Sequence, residues 1–178
     1  MERKFLPFIS VISIFVLIVF SGCSNMNSSN SVSPEELTTG GSITLNGGGY
    51  NNTTVNFGIG QAAYSTNAQI TKCLFYGKIG NDSILVIVAF SGESTGNHQW
   101  QQFSLNSTNI VGVAANIYNS STNNGYFMPD SGGNTTVSVY GNVGQTIEGS
   151  YSGTTQDIAT SAKIAVNGTF KATREADE

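Results

Sequence analysis

Hydrophobic and polar residues alternate along most of this chain, with a period of two. Ser42-Ile43-Thr44-Leu45-Asn46 alternates until Gly47-Gly48-Gly49 interrupts it, and Thr53 to Phe57 resumes the pattern with Val55 and Phe57 on one face. That period belongs to a β-strand with one face buried. Ala62–Ser65 and Ile70–Lys78 continue the series, and Gly80-Asn81-Asp82 supplies a hairpin turn into Ser83–Phe90. From Ile84 to Phe90 every residue is apolar, which predicts a central strand covered on both sides. Its β-branched content and short length favour a strand over a buried helix. Trp100–Leu105, Ile110–Tyr118, Gly125–Met128, Thr135–Tyr140, Gln145–Thr154 and Ile164–Thr173 complete the pattern. Turn residues separate them at the spacing of a sandwich or barrel. The expected fold is all-β: a single antiparallel β-sandwich over residues 41–178, with a closed β-barrel as the alternative.

One internal echo is more specific than any single strand. Ile147-Glu148-Gly149-Ser150-Tyr151 matches Val166-Asn167-Gly168-Thr169-Phe170 in residue class, with aliphatic, glycine and aromatic positions two apart. On neighbouring antiparallel strands this turns Ile147, Tyr151, Val166 and Phe170 inward together, with a glycine beside each ring. The pair resembles the C-terminal hairpin of uncharacterised exported bacterial β-domains. The resemblance covers only this last part of the chain and implies no activity.

The start of the chain has a different pattern. Arg3 and Lys4 precede an apolar run from Phe5 to Phe20, broken by Pro7, Ser10 and Ser13. A membrane-spanning helix needs about 20 apolar residues, so the run is short for a permanent span and suits a signal-peptide core. Small residues Ser21 and Gly22 then lead into Cys23. This order resembles the lipobox-type signal peptide of bacterial lipoproteins, although Phe20 stands where the family usually has Leu. The resemblance implies that residues 1–22 are removed and that Cys23 is acylated and becomes the N-terminus. The protein would then be held at the membrane of the cell envelope. Ser24, after the cysteine, implies sorting to the outer membrane in a diderm host, and to the outer face of the cell membrane otherwise. Residues 23–40 read as the lipidated cysteine and a flexible Asn/Ser tether. Ser33-Pro34-Glu35-Glu36 has the cap, first-turn proline and capping box of a short helical turn.

Composition narrows the function classes. Charged residues make up 10% of the chain and the net charge is −4. With no basic stripe to displace counterions, nucleic-acid binding is excluded. If Cys23 carries lipid, Cys73 has no partner, and it reads as a buried, inert thiol in a fold without a disulfide.

Catalytic motifs are missing. His98 is the single histidine, and no Gly-x-Ser-x-Gly elbow, second histidine or cysteine pair accompanies it. No catalytic residue, metal or cofactor is assigned. Asp130-Ser131-Gly132-Gly133-Asn134 lacks the alternating acids of a calcium loop. Among Asp82, Glu93, Asp130, Glu148 and Asp157, Glu93 and Asp130 lie in glycine-bearing loops and are the candidate acids of a glycan hydrolase. Tyr50, Tyr64, Trp100, Tyr126 and Phe127 fall near strand ends, and Trp100 sits among amides in Asn97-His98-Gln99-Trp100-Gln101-Gln102. Rings stack on sugar faces while amides read hydroxyls, so His98, Trp100, Tyr126 and Asp130 are the candidate ligand-binding set. The competing reading has Trp100 plugging the end of the sandwich.

The expected role is a non-catalytic binding or structural module, with carbohydrate or another envelope protein as partner. The alternatives are the hydrolase and a small-ligand carrier, the latter without the Gly-x-Trp of lipocalins. Replacing Cys23 with Ser is expected to move the protein from the membrane fraction to the soluble fraction and to abolish acyl labelling. Continued membrane attachment without any acyl label would overturn the lipid anchor.

Overall fold

In the computed structural model, residues 40–104, 109–118 and 125–178 are described. The expected signal peptide, Cys23, the expected tether up to residue 39 and the expected helical turn at Ser33–Glu36 lie outside them. The described chain is all-β. Its strands are β1 (Gly41–Gly47), β2 (Tyr50–Phe57), β3 (Gly60–Ser65), β4 (Ile70–Ile79), β5 (Asp82–Ser91), β6 (Gly96–Gln99), β7 (Gly112–Tyr118), β8 (Gly125–Pro129), β9 (Asn134–Tyr140), β10 (Thr146–Asp157) and β11 (Lys163–Arg174).

Two layers face each other. The first runs β2-β1-β11-β10-β9-β6 and the second β3-β4-β5-β7-β8. All pairings are antiparallel except one, the short parallel contact of Ala172–Arg174 with Gly60–Ala62. The long hairpin β10–β11 belongs to both layers. At one end the last residues of β11 turn to pair with β3; at the other, Thr155–Asp157 of β10 pair with β8. The hydrogen-bond circuit therefore closes, while β1 and β2 on one side and β9 and β6 on the other extend the first layer past the junctions. The result is a sandwich with two hydrogen-bonded corners.

The predicted echo appears as register. Gly149 pairs with Phe170 and Tyr151 with Gly168, so each ring lies across from a glycine on its neighbour strand. Ile147, Tyr151, Val166 and Phe170 are all buried. From the second layer Phe75 and Phe90 meet them, with Phe75–Phe170 and Phe90–Phe170 centroids 6.4 Å apart and Phe57–Phe75 at 5.6 Å. Rings at these separations fill the space between layers that sit about 10 Å apart.

β5 is central to the second layer, between β4 and β7. Ile84, Val86, Val88 and Phe90 enter the main core, and on the other side Ala89 joins Ile70 and Val111 in a small second cluster. Cys73 points inward beside these residues, fully buried and free, and burial pushes its thiol pKa up.

One predicted strand is displaced. The structure places β6 at Gly96–Gln99, and residues 100–104 are not strand. Their backbone donors go to separate partners: Trp100 to Gly133, Gln101 to Val111, Phe103 to Pro129. A segment that changes neighbours at every second residue crosses between layers and builds no ladder, although its composition suits one.

Gly168 gives the sharpest test of this packing. A Cβ there would overlap the Ser42 carbonyl oxygen and lie 2.7 Å from the Tyr151 hydroxyl, which itself donates to that carbonyl at 2.9 Å. Gly168→Ala is expected to destabilise the domain by at least ~2 kcal/mol in chemical denaturation. Retention of wild-type stability would show that the interlock is loose.

Candidate functional site

The four residues proposed to bind ligand are not brought together. Trp100 is 5% exposed, its indole N–H donating to Thr135 Oγ1 at 3.0 Å. Its ring lies against Gly133 and Gly153, where any Cβ would collide with it. A ring enclosed in this way has no face to offer a sugar, so Trp100 is corrected from ligand contact to core, the plug of the sandwich end. His98 on β6 is half-buried, its ring centroid 5.0 Å from that of the core residue Phe90 and its Nε2 3.1 Å from the Ser94 carbonyl.

Asp130 is also committed. Its carboxylate meets Lys163 Nζ at 2.8 Å and accepts from the Ser131 backbone N–H at 2.9 Å. Lys163, and then that N–H, hold the carboxyl below the usual carboxylate range. Glu93, the other candidate acid, meets Arg174 Nη2 at 2.6 Å, and the same nitrogen meets Asp177 at 2.9 Å. Arg174 is 8% exposed and lies over the Tyr140 ring at 5.0 Å. The Tyr140 hydroxyl bonds Thr71 Oγ1, which donates to the Gly92 carbonyl. Glu93 is thus one edge of a knot that ties the end of β11 to the loop after β5. Glu148 pairs with Lys171 at 2.9 Å, and that contact followed by the Thr146 hydroxyl lowers its pKa. Among the described residues no three His, Cys, Asp or Glu side chains gather as a metal site.

Of the other strand-end aromatics, Phe127 is core, and Tyr50 meets its ring edge-on at 5.8 Å. Tyr126 is different. Phe127 pairs with Ala115 on the inward side, so the adjacent pair Tyr126–Asn116 points outward. The same row continues through Leu85 on β5 to Tyr76 on β4. Tyr76 is 59% exposed, and Tyr118, two residues after Asn116 on the same face, is 38% exposed. The exposed rings that sequence reasoning sought at Trp100 are therefore on the outward face of the second layer. Tyr76 was missed because it sits inside a strand, where an aromatic reads as core, and Tyr118 because it ends a run of apolar residues that reads as core. Strand phase could have found them, since each lies out of step with the inward residues of its strand.

Trp100→Ala is expected to destabilise the domain by about 3–5 kcal/mol, because it empties a filled site and strands the Thr135 hydroxyl. Equilibrium unfolding measures this, and an unchanged midpoint would return Trp100 to the surface. No protein-family model, curated protein or solved structure matches the chain.

Proposed function

We propose that this protein is a lipid-anchored module of the cell envelope that binds a partner and does not turn it over. The anchor rests on the lipobox-like order ending at Cys23. The observation that carries the non-catalytic part is the state of the acids. Glu93 and Asp130, the two in loops that could serve a hydrolase, are each held by a cation, and the Asp130 pKa moves down. A general acid for glycoside cleavage needs a carboxyl whose pKa is raised, usually by an apolar setting or a neighbouring carboxylate. For Asp130, the ion pair with Lys163 works the other way. The ring-filled interior from Phe57 through Phe75 to Phe170 supports binding at the outside of the domain and disfavours a carrier with an internal cavity.

The full chain, solubilised in detergent and mixed with washed cell envelopes, is expected to sediment with them and to release no soluble reducing sugar. Sugar release that disappears in Glu93→Gln or Asp130→Asn would replace this reading with the hydrolase. Failure to sediment would overturn the binding role.

A further inference from the structure

We propose that the outward face of β4, β5, β7 and β8 is a saccharide-binding site formed by Tyr76, Asn116, Tyr118 and Tyr126. This deepens the envelope-binding reading and rests on it only for where the glycan is encountered.

The register builds the site. Tyr76, Leu85, Asn116 and Tyr126 are successive cross-strand neighbours on four adjacent strands. Three interstrand steps of about 4.8 Å put Tyr76 and Tyr126 roughly 14 Å apart at the backbone. Between them Leu85, 8% exposed, forms an apolar floor. Tyr118 stands beside this row. Its hydroxyl is hydrogen-bonded by the Asn116 side chain and feels both the Tyr126 and Tyr76 hydroxyls. Asn116 thus has Tyr126 as its cross-strand neighbour and Tyr118 as its bonded partner, and Tyr76 lies on the same row beyond Leu85.

That amide is only half satisfied: its side chain bonds Tyr118, but its oxygen has no donor. Asn116 Oδ1 is enclosed and has no hydrogen-bond partner. A buried acceptor without a donor is a standing penalty, and an arriving O–H group relieves it. Tyr118, 38% exposed and bonded to the same side chain, stands at the solvent side of the amide.

A sugar carries the matching chemistry: apolar C–H faces for the rings and hydroxyls for the amide and phenols. No carboxylate stands at the outward positions of these rows, and Lys72 and Lys78 border them on β4, placed to meet acidic sugar substituents. The opposite face of the domain makes a sharp contrast. Its outward rows carry no ring: Thr54–Thr44–Asn167–Ser152–Asn134 holds hydroxyls and amides, and Lys171–Glu148–Val139 an ion pair and one aliphatic side chain. Water competes well for such groups, so stacking selects the tyrosine face.

The test is a pull-down of the detergent-solubilised full chain on beads coated with peptidoglycan glycan strands, mixed-linkage β-glucan or polygalacturonate. At least one bead type is expected to retain the wild type. Tyr76→Ala and Tyr126→Ala should each weaken retention roughly tenfold, in line with the loss of a ring stack. Asn116→Leu should weaken it while keeping the rings, and Tyr118→Phe should retain most binding. The far-UV spectrum and melting midpoint of Tyr76→Ala should match wild type, because the ring is exposed. If another variant melts early, Tyr76→Ala alone decides the outcome. Sedimentation with envelopes but no retention on any saccharide would overturn this site, leave the binding role standing and point to a protein partner. Retention unaffected by Tyr76→Ala would also overturn it. Loss of both sedimentation and retention in the wild type would bring down the binding role itself.

Discussion

The reciprocal contact of ring and glycine across β10 and β11 is the constraint on which the rest of the molecule hangs. Tyr151 lies opposite Gly168 and Phe170 opposite Gly149, so each strand supplies the gap that the other fills. Both glycines are fully constrained: a Cβ on Gly149 would run into the Thr136 carbonyl and the Phe170 ring, and one on Gly168 into the Ser42 carbonyl. Glycine weakens an isolated strand, yet here it lets a ring lie against the backbone and fixes the register by shape. The hairpin must hold its register, because it is shared by both layers. A slip of one residue would turn Ile147, Tyr151, Val166 and Phe170 outward and detach β3 and β8 from the corners at once.

The corners explain where the buried charge sits. β11 ends at the β3 junction, and there Arg174 gathers Glu93, Asp177, the Gly141 carbonyl and the Tyr140 ring. The backbone beyond it follows β3, with Glu175 and Glu178 N–H groups donating to Ala62 and Tyr64. A cation this enclosed is tolerable only when it is paired and hydrogen-bonded. Its Nε is left without a partner, so the pairing is incomplete even with two carboxylates. The diagonally opposite corner uses a lighter device, the pair of Asp130 with the exposed Lys163 at the start of β11. A pair so open to water contributes little to stability, and its weight is in orienting the loop after β8.

How much of this was legible depended on whether the cause lay in local sequence. Period-two alternation located nearly every strand, because one buried face imposes it residue by residue. The β10–β11 register was readable because the ring–glycine complement is written twice, nineteen residues apart. Trp100–Leu105 misled because strand composition says nothing about which partners the backbone finds, and this segment finds three. The partners of the polar side chains were closed to inspection for the same reason. Arg174 reaches Glu93 across 81 positions and Lys163 reaches Asp130 across 33, and no pattern near either acid announces its cation. The acids looked available only because their neighbours in sequence are not their neighbours in space.

That difference decides where recognition can sit on this scaffold. Loops are the usual carriers of function on β-sandwiches, but here the loop acids and the loop tryptophan are committed to holding corners and plugging an end. Among the described residues, strand surface offers the exposed rings, and the two outward surfaces are not equivalent. The first layer presents mainly hydroxyls and amides, with the Lys171–Glu148 pair among them, and no ring. The second presents Tyr76, Tyr118 and Tyr126 on β4, β7 and β8, with no carboxylate among them. Strand surface is also rigid: these side chains are spaced by backbone hydrogen bonds and keep their separation without any loop closing over them. An apolar outer side on β5 follows from the same arrangement. Leu85 and Ile87 face outward on the side that carries the rings, and Ile84–Phe90 was already legible as a strand in which alternation fails.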